Sequence, residues 1–274
     1  MESLNIKRLS QVALWYLRMY YPKVTALLVG LTLGYLLICL AYLWPVLRGG
    51  GAFTASDLTR WEYICAISCV VIFVISGSWL FIDMDTKERR ITVRMLPASD
   101  LEKFAVRLLT VTVGVLVWCM LAFFLADLLR VAVSLTAGVG YTRLAMPDYL
   151  EILCLNHDGN LLAGGKTLHY PFHVCVACVM WLIWAHSLYA LGSTLLRRYR
   201  FAVTTAVHVL LLVVFGAVMS CVTDDFKSML LDSRYMVQVY VFAAAAAALA
   251  VLNYRLCYLL FRRGQVINNK WICV

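Results

Sequence analysis

Two histidines, His186 and His208, stand inside long apolar runs, at similar depth and about two helical turns from the same side of the chain's hydrophobic segments. Ionisable groups in such surroundings are functional candidates by default, as proton relays or ligand contacts. The competing reading is a neutral imidazole hydrogen-bonded between packed helices. Asp127 and Arg130 form an i,i+3 pair, a spacing at which each side chain satisfies the other. His169, His173, Cys175 and Cys178 crowd together as metal ligands do, but both cysteines fall in an apolar run, where Cys behaves as a small hydrophobe. "GNLLAGGKT" at 159–167 approaches a phosphate loop and misses it, because Asn160 stands where the first Gly is required. There is no HExxH, no pair of carboxylates within the membrane runs and no nucleophile beside a placed base. The sequence therefore points to a protein that is not an enzyme and needs no metal or cofactor. A His-dependent membrane enzyme or proton-coupled carrier would rest on His186 and His208 alone.

The elements that must position these residues follow from composition. With 63% apolar and 14% charged residues and a mean hydropathy of +0.83, the chain lies well outside the soluble range. Its net charge of +9 would suggest nucleic acid in a soluble protein, but in a membrane protein the distribution of charge carries the meaning. Nucleic acid is not an expected partner. Eight of the ten cysteines fall in apolar runs, leaving Cys154 and Cys273 on opposite sides, so no disulfide framework follows.

A membrane-crossing helix needs about 20 apolar residues. Six segments qualify, near 24–45, 62–82, 108–129, 172–194, 201–221 and 236–261. The expected fold is an all-α polytopic membrane bundle of six transmembrane helices, one transmembrane domain over residues 1–274. Basic residues mark the inner side. With the N-terminus inside, 17 of the 24 Lys and Arg lie in inner segments or adjoining helix ends, among them Lys7, Arg8, Arg18, Lys23, Arg197, Arg198, Arg262, Arg263 and Lys270. Both termini are then cytoplasmic, segment 83–107 is a cytosolic loop, and 131–171 is a long outer loop. In the outer loop "PDYLEILCL" reads as a short surface helix and "NHDGN" as a turn. A second outer loop, "VTDDFKSMLLDSRY", reads as an amphipathic piece able to dip into the interface.

Ahead of the first span, Leu9, Val12, Ala13, Tyr16, Met19 and Tyr20 recur at helical spacing opposite Lys7, Arg8, Gln11 and Arg18. The pattern predicts an N-terminal amphipathic helix in the interface, its basic side toward lipid headgroups or water, ended by Pro22. The alternative is a first span that starts early. In the first span Gly30 and Gly34 form a GxxxG, and Ala243 to Ala248 give the sixth a small-residue face; either allows close helix approach, within one chain or in a dimer.

The loop "MDTKERRITVRMLPASDLEKF" (84–104) gathers nine charged residues and a turn signal. Span two could continue as helix to Arg94 until Met95-Leu96-Pro97 stops it, since the residue before Pro is pushed from the helical region. Ser99 and Glu102 then form a capping box that launches the third span. Two helical arms joined by a stiff elbow suit docking to a soluble partner, although a plain linker whose cations only fix topology has the same composition.

Here the sequence resembles a family. Glu88, Arg89, Arg90, Thr92, Leu96, Pro97 and Ser99 follow the order found in the cytosolic loop of type 2 ATP-binding-cassette (ABC) exporter permeases, and "MLPASDLEKF" is similar to a motif of ABC-permease-like membrane proteins of Bacteroidetes. The resemblance extends in outline to the whole chain, except that the outer loop before span four is longer than expected. It implies a permease subunit in the bacterial inner membrane, paired as a homodimer or with a related permease. It also implies a coupling role for the loop, in which Glu88, Arg89, Arg90, Thr92, Arg94, Leu96, Pro97, Ser99, Asp100, Glu102 and Lys103 would contact a separate ATPase subunit. The rival expectation is a non-transporting sensor or assembly protein that docks a soluble partner through the same loop.

Overall fold

The computed structural model describes residues 5–49, 53–84, 87–138, 142–153, 172–196, 199–222 and 236–263, and within them the chain is all-helical. The helices are α1 (Ile6–Leu47), α2 (Ala55–Ser76), α3 (Lys87–Met95), α4 (Asp100–Leu109), α5 (Val115–Ala137), α6 (Met146–Leu153), α7 (Phe172–Leu195), α8 (Arg200–Val222) and α9 (Met236–Arg263). Six stretches are long and apolar enough to cross a membrane: Ile6–Val46, Ala55–Trp79, Asp100–Thr136, Phe172–Leu195, Arg200–Ala217 and Met236–Arg263. The chain is a multi-pass membrane protein.

Where the helices start and stop follows local chemistry. Asn5 caps α1, its Oδ1 accepting the Lys7 amide at 3.0 Å. The expected break at Pro22 does not occur, and α1 runs through it as one helix of 42 residues. Proline inside a helix costs about 3 kcal/mol, and here the break in the ladder is met locally. The Thr25 hydroxyl donates to the carbonyls of Tyr21 and Pro22 at 2.9 and 3.1 Å, serving backbone oxygens beside the break in the ladder. The amphipathic N-terminal stretch is thus the first part of the first long helix.

Helix α2 begins on a reciprocal cap. The Thr54 amide donates to Asp57 Oδ2 at 3.1 Å, and the Asp57 amide to Thr54 Oγ1 at 3.4 Å. The smooth extension of this helix to Arg94 is also overturned. After Ser76 the backbone tightens into 3-10 turns at Gly77–Trp79 and Ile82–Met84 before α3 starts. The cause is a close crossing: a Cβ at Gly77 would run into the His186 carbonyl and lie 2.9 Å from the Ala190 nitrogen of α7. The third long helix is a composite, with α4 and α5 joined by a π-helical turn at Thr110–Gly114 and ended by Gly138 at φ 67°.

The chain forms two compact units. One comprises Tyr16–Val71 and Gly114–Tyr170. Its core stacks Trp61 on Phe123 (4.8 Å between ring centres) and Phe123 on Tyr149 (3.8 Å), and the Trp61 indole donates to the Tyr35 carbonyl at 2.9 Å. The expected surface helix is present as α6, but Tyr149 and Ile152 bury one face of it. Burial pushes the Tyr149 phenol up from its ordinary range. Among the described residues, nothing lies within 4 Å of where a Cβ at Gly30 or Gly34 would stand.

The other unit comprises Met1–Trp15, Ile72–Val113 and Pro171–Val274. Here small residues do bring helices together. Ala243 packs with Ala177 and Val239 in the core shared by α7 and α9, and Gly192 of α7 sits so close to Thr204 of α8 that a Cβ would collide with its hydroxyl. Asn253 of α9 donates to the Ser187 hydroxyl of α7 at 2.9 Å. Cys154, His169, Cys273, the turn at 156–160, the glycine-rich stretch 159–167 and the amphipathic piece at 223–235 lie outside the described residues.

Candidate functional site

The elbow between α3 and α4 is built as the sequence suggests and then fastened in ways it does not reveal. Helix α3 stops at Met95, and the Ala98 amide closes a tight turn onto the Leu96 carbonyl at 2.8 Å around Pro97. Ser99 caps α4: its hydroxyl accepts the Glu102 amide at 3.2 Å, while Glu102 Oε2 accepts the Ser99 amide at 2.9 Å. Glu102 does more than close this box. Its Oε1 accepts the Asn5 amide at 2.9 Å and lies 3.4 Å from the Arg8 guanidinium, so one carboxylate secures the starts of both α1 and α4. The sequence carried half of this signal, since Asn5 directly before an apolar-periodic run is an N-cap pattern; nothing local told that Glu102 would reach it.

The cations of the elbow divide by direction. Arg94 turns inward, donating to the Phe261 carbonyl of α9 at 2.8 Å and lying 3.6 Å from Asp100, with its guanidinium over the Phe261 ring. Lys103 is buried, its ammonium 3.4 Å from the Arg94 carbonyl. Arg107 is buried too, 3.0 Å from the Met84 sulfur and over the rings of Phe81 and Phe261. Phe81, Phe104, Tyr258 and Phe261 complete this anchor. Arg90 is half-buried, with a covered Nε that has no hydrogen-bond partner.

Outward go Glu88, Arg89, Ile91, Thr92, Met95 and Pro97, while Leu96, Ser99 and Asp100 are half-buried. Glu88, Ile91, Thr92 and Met95 recur at i, i+3, i+4 and i+7, one stripe of α3. Met95 is 77% exposed, the most exposed apolar side chain of the elbow. On the opposite side Val93 is buried. Of the residues expected to contact a partner, Glu102 and Lys103 are therefore covered and serve the fold, and Arg94 is spent mainly on α9. The remaining outward set is compact: a short helix, fastened behind and exposed in front.

The two histidines have different surroundings. His186 is fully buried, with Nδ1 2.7 Å from the Tyr254 hydroxyl and its ring stacked on Phe73 at 4.9 Å. His208 lies against the rings of Trp184 and Tyr189 at 6.1 and 5.8 Å. Each is an aromatic-packed imidazole on a helix crossing, and no hydrogen bond or ring contact between the two is among those seen in the described residues.

The acidic residue the sequence reading passes over is Glu62. The expected second span starts on it, which makes it look like a boundary residue; the helix starts seven residues earlier, at Ala55, and leaves Glu62 inside. Glu62 and Asp127 are both buried within long apolar helices, and the Asp127 charge acts on Glu62. No protein-family model, curated protein or solved structure matches the chain. Function must be argued from these sites.

Proposed function

We propose that the chain is the membrane permease subunit of an ABC exporter, coupled to a separate ATPase subunit through the α3–α4 elbow. In this reading both termini and the elbow face the cytosol of a bacterial inner membrane, and two permease subunits pair to form the transport path. ATP hydrolysis belongs to the other chain. The observation that carries the reading is the outward stripe of α3, Glu88, Ile91, Thr92 and Met95 with Arg89 beside it, on a helix whose back is tied to α9 by Arg94. A partner that pushes on this stripe moves α4 through the Pro97–Ser99 turn and α9 through Arg94. A mixed charged and apolar face also gives complementarity and anchor contact together.

The test is co-purification of the full chain with an ATPase subunit encoded beside it, followed by reconstitution of the pair in vesicles. Stable association with ATP turnover that rises on pairing supports the reading. A stable soluble partner with no nucleotide dependence points instead to a non-transporting docking protein, and the absence of any ATPase partner under conditions that preserve complexes overturns the proposal.

A further inference from the structure

Glu62 is 1% exposed, and its Oε1 has no hydrogen-bond partner. A carboxylate taken from water needs a paired cation or several donors. The Arg130 guanidinium, whose charge acts on Glu62, is already engaged. Asp127 Oδ1 accepts both Nε and Nη2 of Arg130, at 2.9 and 2.7 Å, and Nη2 also donates to the Arg143 carbonyl. The second oxygen of Asp127 accepts the Ala145 amide at 2.8 Å. The Asp127–Arg130 pair is thus neutral and closed, and Glu62 stands beside it as a second acid for one guanidinium.

The groups around Glu62 can be enumerated by element. α5 presents Asp127 and Arg130, the segment before α6 presents Arg143, and α6 presents Asp148. Cys65 lies one turn along α2 itself, and Cys39 of α1 lies near the ion pair. Arg143 is committed to Asp148 at 2.9 Å. Arg130 shares this core: its guanidinium lies 5.9 Å from the ring of Trp61, the residue before Glu62. Among the described residues no metal-ligating trio gathers here, and a proton is the ligand that needs no cavity.

We propose that Glu62 and Asp127 form an intramembrane proton site, in which one proton and the Arg130 guanidinium are shared between the two carboxyls. In the arrangement seen, Arg130 pairs with Asp127, and the proposal places the proton on Glu62. In the alternative, the Glu62 O–H bond breaks, an O–H bond forms on Asp127 with the same proton, and Arg130 pairs with Glu62. Charge and protons balance, and the exchange links a proton position on α2 to a cation position on α5. The proposal is independent of the docking role of the elbow.

Infrared difference spectra of the purified full-length chain in lipid test it. At pH 7, wild type minus Glu62→Gln is expected to show the carbonyl stretch of a protonated acid, downshifted in D2O. Asp127→Asn frees Arg130 for Glu62, and this band is then lost. A difference spectrum with only carboxylate bands, or a band that persists unchanged in Asp127→Asn, overturns the shared site. Should either variant fail to fold, wild-type protein treated with a membrane-soluble carbodiimide, which reacts with protonated buried carboxyls, decides by mass spectrometry: modification of Glu62 supports the proposal, and an unmodified Glu62 overturns it.

Discussion

Two glutamates of this chain are equally hidden from solvent and differ in everything else. Glu102 collects the amides of Ser99 and Asn5 and the guanidinium of Arg8, so its charge is used up in holding two helix starts together. Glu62 has an oxygen with no partner at all, next to an ion pair that is already complete. Solvent exposure alone would have ranked them together. What separates them is the count of donors at each oxygen, because an ionised carboxylate is tolerated in a covered place only when its hydrogen-bonding capacity is met. A satisfied acid is architecture; an unsatisfied one is available for exchange.

The sharpest way to break that comparison is to remove the cation beside Glu62. Arg130→Ala leaves Asp127 buried without its partner and is expected to cost about 3–5 kcal/mol, read as a large fall in the thermal unfolding midpoint in detergent or lipid. A negligible fall would mean that the pair contributes nothing the surroundings cannot replace. Next in size are the two isosteric changes at the glutamates. Glu102→Gln gives up the charge and one acceptor oxygen, and should cost about 1–3 kcal/mol, with faster hydrogen exchange at the amides of Asn5 and Ser99. Glu62→Gln mimics the neutral acid and should leave stability at pH 7 within about 0.5 kcal/mol. Equal losses at both positions would erase the distinction.

Much of this architecture was legible in the sequence, and what was not has physical reasons. The six long apolar segments, the stop before Pro97, the Ser99–Glu102 cap and the Asp127–Arg130 pair all rest on contacts within a few residues or on simple hydropathy, and all are present. Pro22 misled because the propensity argument does not see the Thr25 hydroxyl, which serves the carbonyls of Tyr21 and Pro22 beside the break in the ladder. Gly77 misled in the opposite direction: nothing in its own segment foretells that α7 will press so close as to reshape the end of α2. The inward turn of Arg94, Lys103 and Arg107 was equally hidden, because a cation in a charged run looks the same whether water or Phe261 receives it. Glu62 is the instructive omission, since the rule applied to His186 and His208 applied to it as well, and a span boundary drawn seven residues late concealed it.

Smaller effects test the elbow. Ser99→Ala removes the hydroxyl that accepts the Glu102 amide and should cost about 1 kcal/mol. Because Glu102 remains held by Asn5 and Arg8, the loss should stay local, seen as faster exchange of amides in the first turn of α4 with α1 unaffected. If protection of the Asn5 amide falls as well, the two helix starts are one cooperative unit and the carboxylate alone does not hold them.

The last prediction has the smallest effect on folding and the largest bearing on function. Arg89 and Arg94 are separated by little more than one helical turn, yet one faces outward and the other is bonded to the Phe261 carbonyl and paired with Asp100. Arg89→Glu should change stability by no more than about 0.5 kcal/mol, as exposed substitutions generally do, and should weaken association with the proposed ATPase subunit by reversing a charge beside the proposed docking stripe. Arg94→Glu removes the tie to α9 and places a carboxylate against Asp100, so it should lower the unfolding midpoint whether or not a partner is present. Thermal unfolding and co-purification measured on both variants separate the two roles. An Arg89→Glu protein that binds as tightly as the parent at low and moderate salt would leave the outward cation with no docking role, and charge on this elbow would then serve only to orient the chain and to fasten α3 to α9.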